Sequence, residues 1–224
     1  MMKMAVTPYW IEADNLNSTA CIIFDCDGTL VDSETLGTQV LAKALLQHQI
    51  KVSATDLLRD YRGAKFAQMI KELEQHFGTR LPERFIPDYR LAADRVYAQH
   101  LQAMPGASEL LSALDKPICV ASNAPVLKTR RSLEYTGLHQ FFGDALYSAY
   151  DIDAWKPDPT LFHHAAHDMG FDAEQCLVVE DSEAGMQAGL AAGMRTVLLD
   201  PHQVHRAPPQ VQCIRELPEL LQLL

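Results

Sequence analysis

The chain has 224 residues, 48% of them hydrophobic and 21% charged, with 19 basic against 29 acidic side chains and a formal charge of −10. That composition suits one large domain, or one carrying an insertion, and excludes disordered, collagen-like and mini-protein chains. The acidic balance repels a phosphate backbone and anionic lipid, so the expected partner is a small molecule, with no nucleic acid and no membrane.

From the N-terminus, Met1 to Thr19 holds Asp, Glu, Asn and Pro where a signal peptide needs an apolar stretch, which predicts a cytoplasmic protein. The first apolar, β-branched run, Ala20 to Phe24, reads as a buried strand. The stretch from Thr35 to Gln102 is patterned as helix, with apolar stripes at Val40, Leu41, Ala44 and Leu45, at Phe66, Ile70, Leu73 and Phe77, and at Leu91, Tyr97, Leu101 and Met104. After Met104-Pro105-Gly106, strands are expected at Pro117 to Ala121, Cys176 to Val179, Thr196 to Leu199 and Val211 to Ile214. Helices are expected at Ala107 to Leu114, Val126 to Tyr135, Thr160 to Met169 and Glu183 to Ala192. Such alternation predicts an α/β fold, a doubly wound parallel sheet with helices on both faces. Residues 35–102 are then an inserted small helical cap over the ligand-binding edge, with residues 1–34 and 103–224 forming the core.

Cys21, Cys26, Cys119, Cys176 and Cys213 are odd in number and lack C-x-x-C spacing, so they read as reduced core thiols. Gly185, Gly189 and Gly193 predict close packing of a helix on the sheet, with Gly193 as its stop. His163 and His167 stand one helical turn apart, but no H-E-x-x-H motif supports zinc, and a solvated face is expected. Walker, G-x-G-x-x-G and G-x-S-x-G motifs are missing, which removes the usual support for nucleotide and serine-hydrolase chemistry.

The chemistry-bearing residues fall at predicted strand ends. Asp25 and Asp27 leave the carboxyl edge of the first strand, two residues apart, and Gly28 permits a tight turn whose N–H groups face an anion. Ser122-Asn123 closes the second strand before Pro125 opens a helix, and the N-terminus of that helix favours a negative ligand. Lys156 sits in W-K-P-D-P between stiffening prolines. Glu180-Asp181 ends another strand, where carboxylate oxygens suit a hard divalent cation. Taken singly these are also a turn, a helix start, a loop lysine and a helix cap. Together on successive strands they supply a nucleophile, a proton source and positive charge for phosphoryl transfer.

D-C-D-G-T-L-V-D-S-E at Asp25 to Glu34, the Ser122 strand end, Lys156 and E-D-S-E-A-G at Glu180 to Gly185 resemble the four motifs of the haloacid dehalogenase superfamily over essentially the whole chain. The cap position resembles its β-phosphoglucomutase-like subgroup. The resemblance implies that Asp25 is the nucleophile, forming an aspartyl-phosphate, and that Asp27 is the general acid and base. It implies that Ser122, Asn123 and Lys156 bind the phosphoryl group, and that Mg²⁺ sits on Asp25, Asp181 and the Asp27 carbonyl, with Glu180 acting through water. Asp25 is expected to be ionised and Asp27 protonated.

Tyr61-Arg62-Gly63-Ala64-Lys65 looks like the substrate-facing loop of the cap. Arg62 offers a planar fork to an anionic or polyhydroxy leaving group, and Lys65 is a second candidate. Mutases of this subgroup usually carry His where this chain has Gly37, which argues for hydrolysis. S-A-Y-D-I-D-A-W-K-P-D-P at Ser148 to Pro159 is similar to the 6-phosphogluconate-hydrolysing members. The expected activity is therefore Mg²⁺-dependent hydrolysis of a small sugar phosphate or sugar-acid phosphate. A phosphosugar mutase and a non-catalytic phosphometabolite-binding protein are the alternatives.

Overall fold

The computed structural model describes residues 18–61 and 65–224. Strand β1 (Cys21–Phe24) is followed by four helices, α1 (Ser33–Leu46), α2 (Ala54–Tyr61), α3 (Phe66–Phe77) and α4 (Phe85–His100). The chain then returns through α5 (Ala107–Ala113), β2 (Ile118–Ser122), α6 (Val126–Tyr135), α7 (His139–Phe142), β3 (Leu146–Ser148), α8 (Ala149–Ile152) and α9 (Thr160–Asp168). It ends with β4 (Cys176–Glu180), α10 (Glu183–Ala191), β5 (Arg195–Leu199) and β6 (Gln212–Ile214). All pairings within the sheet of these six strands are parallel, in the order β3-β2-β1-β4-β5-β6. The doubly wound α/β expectation holds.

Side chains alternate between the two faces of β1. Ile22 and Phe24 pack in the cluster that holds Leu110, Leu133 and Leu217, while Cys21 and Ile23 pack with Leu161, Phe162 and Ala188. Both faces are dry, which is why β1, β2 and β4 read as continuous apolar runs. Strand β3, with three residues, is too short to show a period and was not expected from the sequence.

Helices α1 to α4 build a separate cluster from Leu41, Leu45, Leu57, Ile70, Leu73 and Phe85. The stripe of α4 differs from the expected one. Phe85, Ala93 and Tyr97 are buried at spacings of four and eight, with Tyr89 on the same face, while Leu91 is 53% exposed. The two chain crossings into this helical region lie side by side: Val31 bridges to Ala103, Asp32 N–H donates to the Gln102 carbonyl (3.0 Å) and Met104 N–H to that of Leu30 (2.8 Å). None of the helices among the described residues is long and apolar enough to cross a membrane. Four cysteines are buried, but Cys213 is exposed on the edge strand β6, correcting its assignment to the core. His163 and His167 are exposed on α9.

Helix α10 lies close against the sheet. A Cβ on Gly189 would come within 2.6 Å of Thr196 Oγ1 and 3.4 Å of Val178, and one on Gly185 would collide with the Glu180 carboxylate. Gly185→Ala is therefore expected to destabilise the protein by about 1–3 kcal/mol in urea unfolding through overpacking, despite alanine's better helix propensity. A more stable variant would mean that Glu180 has room to move.

Candidate active site

Three strands bring the site together. Register pairs Phe24 with Val120 on one side and with Val179 on the other, so Asp25, Ser122 and Glu180 leave neighbouring strands at the same edge. The chain leaves β1 for β2 on one side and leaves β4 for β5 on the other, so the strand order reverses between β1 and β4, and the crevice beyond such a switch point is the usual ligand site of an open α/β sheet. The cavity there is about 520 Å³ and is roofed by α1, α2 and α4.

Lys156, delivered by the loop between α8 and α9, reaches into this edge and is 5% exposed. Its ammonium donates to Asp25 Oδ1 (2.6 Å), Glu180 Oε1 (2.6 Å) and the Ala121 carbonyl (2.7 Å). An ammonium has three protons, and each has an acceptor. Burial works against its charge, but Asp25 and Glu180 outweigh that and hold Lys156 above its ordinary pKa. Glu180 Oε2 accepts in addition from Ser182 Oγ (2.8 Å) and from the N–H groups of Asp181 and Ser182 (3.1 Å each). Both Glu180 oxygens thus hold the end of β4 and Lys156 in place. Ser182 also caps α10, accepting from Gly185 N–H (3.1 Å).

Asp25, Glu180 and Asp181 are buried and each offers an oxygen within 4.8 Å of the others. Thr29 Oγ1 donates to Asp181 Oδ1 (3.3 Å), and Gly28, at φ +86°, lets the loop pass so close that a Cβ there would strike the Asp181 carboxylate. Three carboxylates around one ammonium carry excess negative charge, and their oxygen-only donor set fits a hard divalent cation such as Mg²⁺.

Asp27 is placed differently from Asp25. Ser33 Oγ, from the first turn of α1, and Lys128 Nζ, from α6, both donate to its Oδ1. With the protein's own groups alone, the two aspartates titrate apart in the sense opposite to the expected one. Burial pushes Asp25 up; Lys156 pulls it back, but the charges of Glu180 and Asp27 leave it above the ordinary carboxylate range. Burial also acts to raise Asp27, but Lys128, with its hydrogen bond and that of Ser33, brings it below that range. Positive charge from a cation on the Asp25 oxygens acts to reverse the first shift.

Ser122, 2% exposed, lines the cavity and accepts from Ala124 N–H (3.0 Å). Asn123 also lines it, yet its amide clamps the backbone of Lys156, accepting from Lys156 N–H (2.9 Å) and donating to the Lys156 carbonyl (3.4 Å). Lys65 is not part of the cavity wall among the described residues; its ammonium stacks 3.2 Å from the centroid of the Trp155 ring. Arg62 lies outside the described residues.

Several groups at the site had no sequence signal. Lys128 sits inside an ordinary helical pattern, with its partner Asp27 101 residues away. Arg131 pairs with Asp94 (2.7 Å), which also accepts from Tyr135 (3.1 Å), and Arg90 donates to Tyr150 (3.0 Å). These contacts tie α4 to the sheet domain across the cavity mouth. A Pro125 start to α6 was legible; which of its side chains would face the cavity was not.

A family model for haloacid dehalogenase-like hydrolases matches residues 19–193. The 6-phosphogluconate phosphatase of Escherichia coli is 36% identical over 205 residues, 90% of this chain and 93% of that protein. The fructose-1-phosphate phosphatase of the same organism is 29% identical over 80% of this chain and 95% of its own length. Among solved structures, a haloacid dehalogenase-family hydrolase from Deinococcus radiodurans, with bound phosphate and sodium, is 27% identical with a TM-score of 0.71, over 91% of this chain and 93% of that one. The chain belongs to the haloacid dehalogenase-like hydrolases. It is a phosphatase of that family.

Removing the Lys156 charge would leave Asp25 and Glu180 buried without a counter-ion. Lys156→Met is expected to lower stability by about 3–5 kcal/mol in urea unfolding, and adding Glu180→Gln to recover part of the loss. Strictly additive losses would show that the two side chains act independently.

Proposed function

We propose that this phosphatase hydrolyses small cytoplasmic phosphate monoesters, a sugar phosphate or sugar-acid phosphate, with 6-phosphogluconate the leading candidate. The observation that carries the reading is the position of Asp25, buried at the switch point with Lys156 on one oxygen and Ser122, Glu180 and Asp181 around it. The cavity has the volume for a sugar phosphate. The 36% identical relative, over nearly the whole of both chains, supports the particular substrate.

In this reading an Asp25 oxygen forms a bond to phosphorus as the ester P–O bond breaks. The negative charge of a bound phosphate ester acts to raise Asp27 against the pull of Lys128. Once protonated, Asp27 gives its proton to the departing alkoxide, then takes one from water as the water oxygen attacks phosphorus and releases Asp25. Ser122 and the N–H groups following Asp25 hold the phosphoryl oxygens, while Lys156, its protons held by Asp25, Glu180 and the Ala121 carbonyl, supplies positive charge beside them and is kept in place by Asn123. The carboxylates of Asp25 and Asp181 and the main-chain carbonyl of Asp27 would hold Mg²⁺, Glu180 reaching it through water, and the ion would offset the negative charge of carboxylates and phosphoryl group. Residues 35–102 act as the cap, with Arg62, on the sequence reading, as its leaving-group residue; Lys65, stacked on Trp155, is no longer a candidate.

The mutase alternative is disfavoured at Gly37. A Cβ at that position would come within 2.5 Å of the Tyr97 hydroxyl and 3.3 Å of that of Tyr89, so the two tyrosines occupy the space a histidine would need.

The test is phosphate release from a panel of sugar, sugar-acid and nucleotide monophosphates. The wild type is expected to act selectively with Mg²⁺ and to stop with EDTA, and Asp25→Asn to lose roughly 10³-fold or more while remaining folded. Turnover surviving in Asp25→Asn would remove Asp25 as nucleophile; activity in EDTA would remove the cation.

A further inference from the structure

Lys128 is the third residue of α6, and its ammonium meets Asp27 at the wall of the cavity. Two donors, Lys128 Nζ and Ser33 Oγ, converge on the same carboxylate oxygen, Oδ1. Among the described residues none donates to Oδ2, and Asp27 lines the cavity. Holding one oxygen from two directions fixes the rotation of the carboxylate and turns the other toward the space a substrate enters.

The surroundings explain why a cation is needed there. Asp25, Glu180 and Asp181 crowd the other side of the loop, so an unanchored Asp27 carboxylate is repelled from the reacting centre. Lys156 cannot serve both aspartates, because its three protons go to Asp25, Glu180 and the Ala121 carbonyl. Lys128 is itself restrained: its Nζ lies 5.7 Å from the centroid of the Tyr97 ring, and the Tyr97 hydroxyl donates to the Ser33 carbonyl (3.2 Å). Residues from α1 and α6 therefore converge on one carboxylate, with Tyr97 of α4 packed against both of them.

We propose that Lys128 is the positioning residue for Asp27, setting which of its oxygens faces the leaving group of the phosphate ester. The inference rests on the reading of Asp27 as general acid and base. Its consequence depends on the ester. An alkoxide leaving group needs a well-placed proton, whereas a nitrophenolate departs without one.

The experiment compares wild type, Lys128→Met and Lys128→Arg on a hexitol phosphate, a sugar-acid phosphate and p-nitrophenyl phosphate, reading kcat/KM, with circular dichroism as the folding check. Lys128→Met is expected to lose about 10- to 100-fold on both sugar-derived esters and to change little on the nitrophenyl ester, since general acid catalysis contributes about 10²–10⁴-fold. Lys128→Arg, which keeps the charge and the donor, should restore most of the loss; if the Met variant does not fold, Lys128→Gln takes its place. Equal losses on all three esters, or no loss on any, overturn the proposal. A loss confined to the sugar-acid phosphate also overturns it and makes Lys128 a ligand of the substrate carboxylate. Wild type that releases phosphate from none of the three overturns the reading of the site itself, and the proposal with it.

Discussion

An ammonium taken out of water is tolerated only where acceptors replace its hydration, and Lys156 meets that condition with a carboxylate from the end of β1, a carboxylate from the end of β4 and a carbonyl of β2. The same three contacts bind the three central strands at their carboxyl edge. They also dictate much of what surrounds them. Asn123 must hold the Lys156 backbone, Ser182 must satisfy the second oxygen of Glu180, and Gly185 must lack a side chain so that α10 can approach the Glu180 carboxylate. A buried ion cluster of this kind adds little net stability, since desolvation offsets the attraction, but it forces one arrangement of the charged groups.

That arrangement divides the labour between the two aspartates of the β1 loop. Asp25 sits inside the carboxylate cluster with Lys156, where a hard cation fits. Asp27 faces the helical insertion, held by Ser33 from α1 and Lys128 from α6. The proposed transfer uses one carboxylate in line with phosphorus and another beside the departing oxygen; a single residue, Cys26, separates the two, and the tight turn at Gly28, φ +86°, follows the second. The exposed contacts at the cavity mouth, Arg131 with Asp94 and Arg90 with Tyr150, add little to stability individually. Their effect is to relate the position of α4 to that of the sheet.

The sequence revealed the residues that act through the backbone they sit on. Asp25, Ser122 and Glu180 mark the ends of apolar runs, and a parallel sheet places such ends on one edge whatever the details of packing. Helix α9 was visible from its apolar face and α10 from its small residues, while α6 was legible from Pro125 at its start, its buried face holding Thr129 and Ser132 beside Leu133. Strand β3 was not, because three residues carry no period. Leu91 lies outside the buried face because that face of α4 follows Phe85, Tyr89, Ala93 and Tyr97 at intervals of four, a pattern carried by aromatic and small residues and not by leucine. Lys128 was invisible for a deeper reason: its role depends on where its side chain ends after folding, opposite an aspartate 101 residues earlier. Asn123 was legible as a site residue, yet its hydrogen bonds to the Lys156 backbone follow from loop geometry that spacing does not encode.

The central claim is that Asp25 attacks phosphorus directly, so that hydrolysis proceeds through two successive displacements. Each in-line displacement inverts the phosphorus centre. The most direct measurement is the stereochemical course with a substrate whose transferred group is chiral through oxygen-isotope and sulfur labelling. Two displacements predict net retention of configuration in the released thiophosphate. Net inversion would mean that water attacks the ester itself, and would contradict the account of Asp25 on which the reading of the site depends.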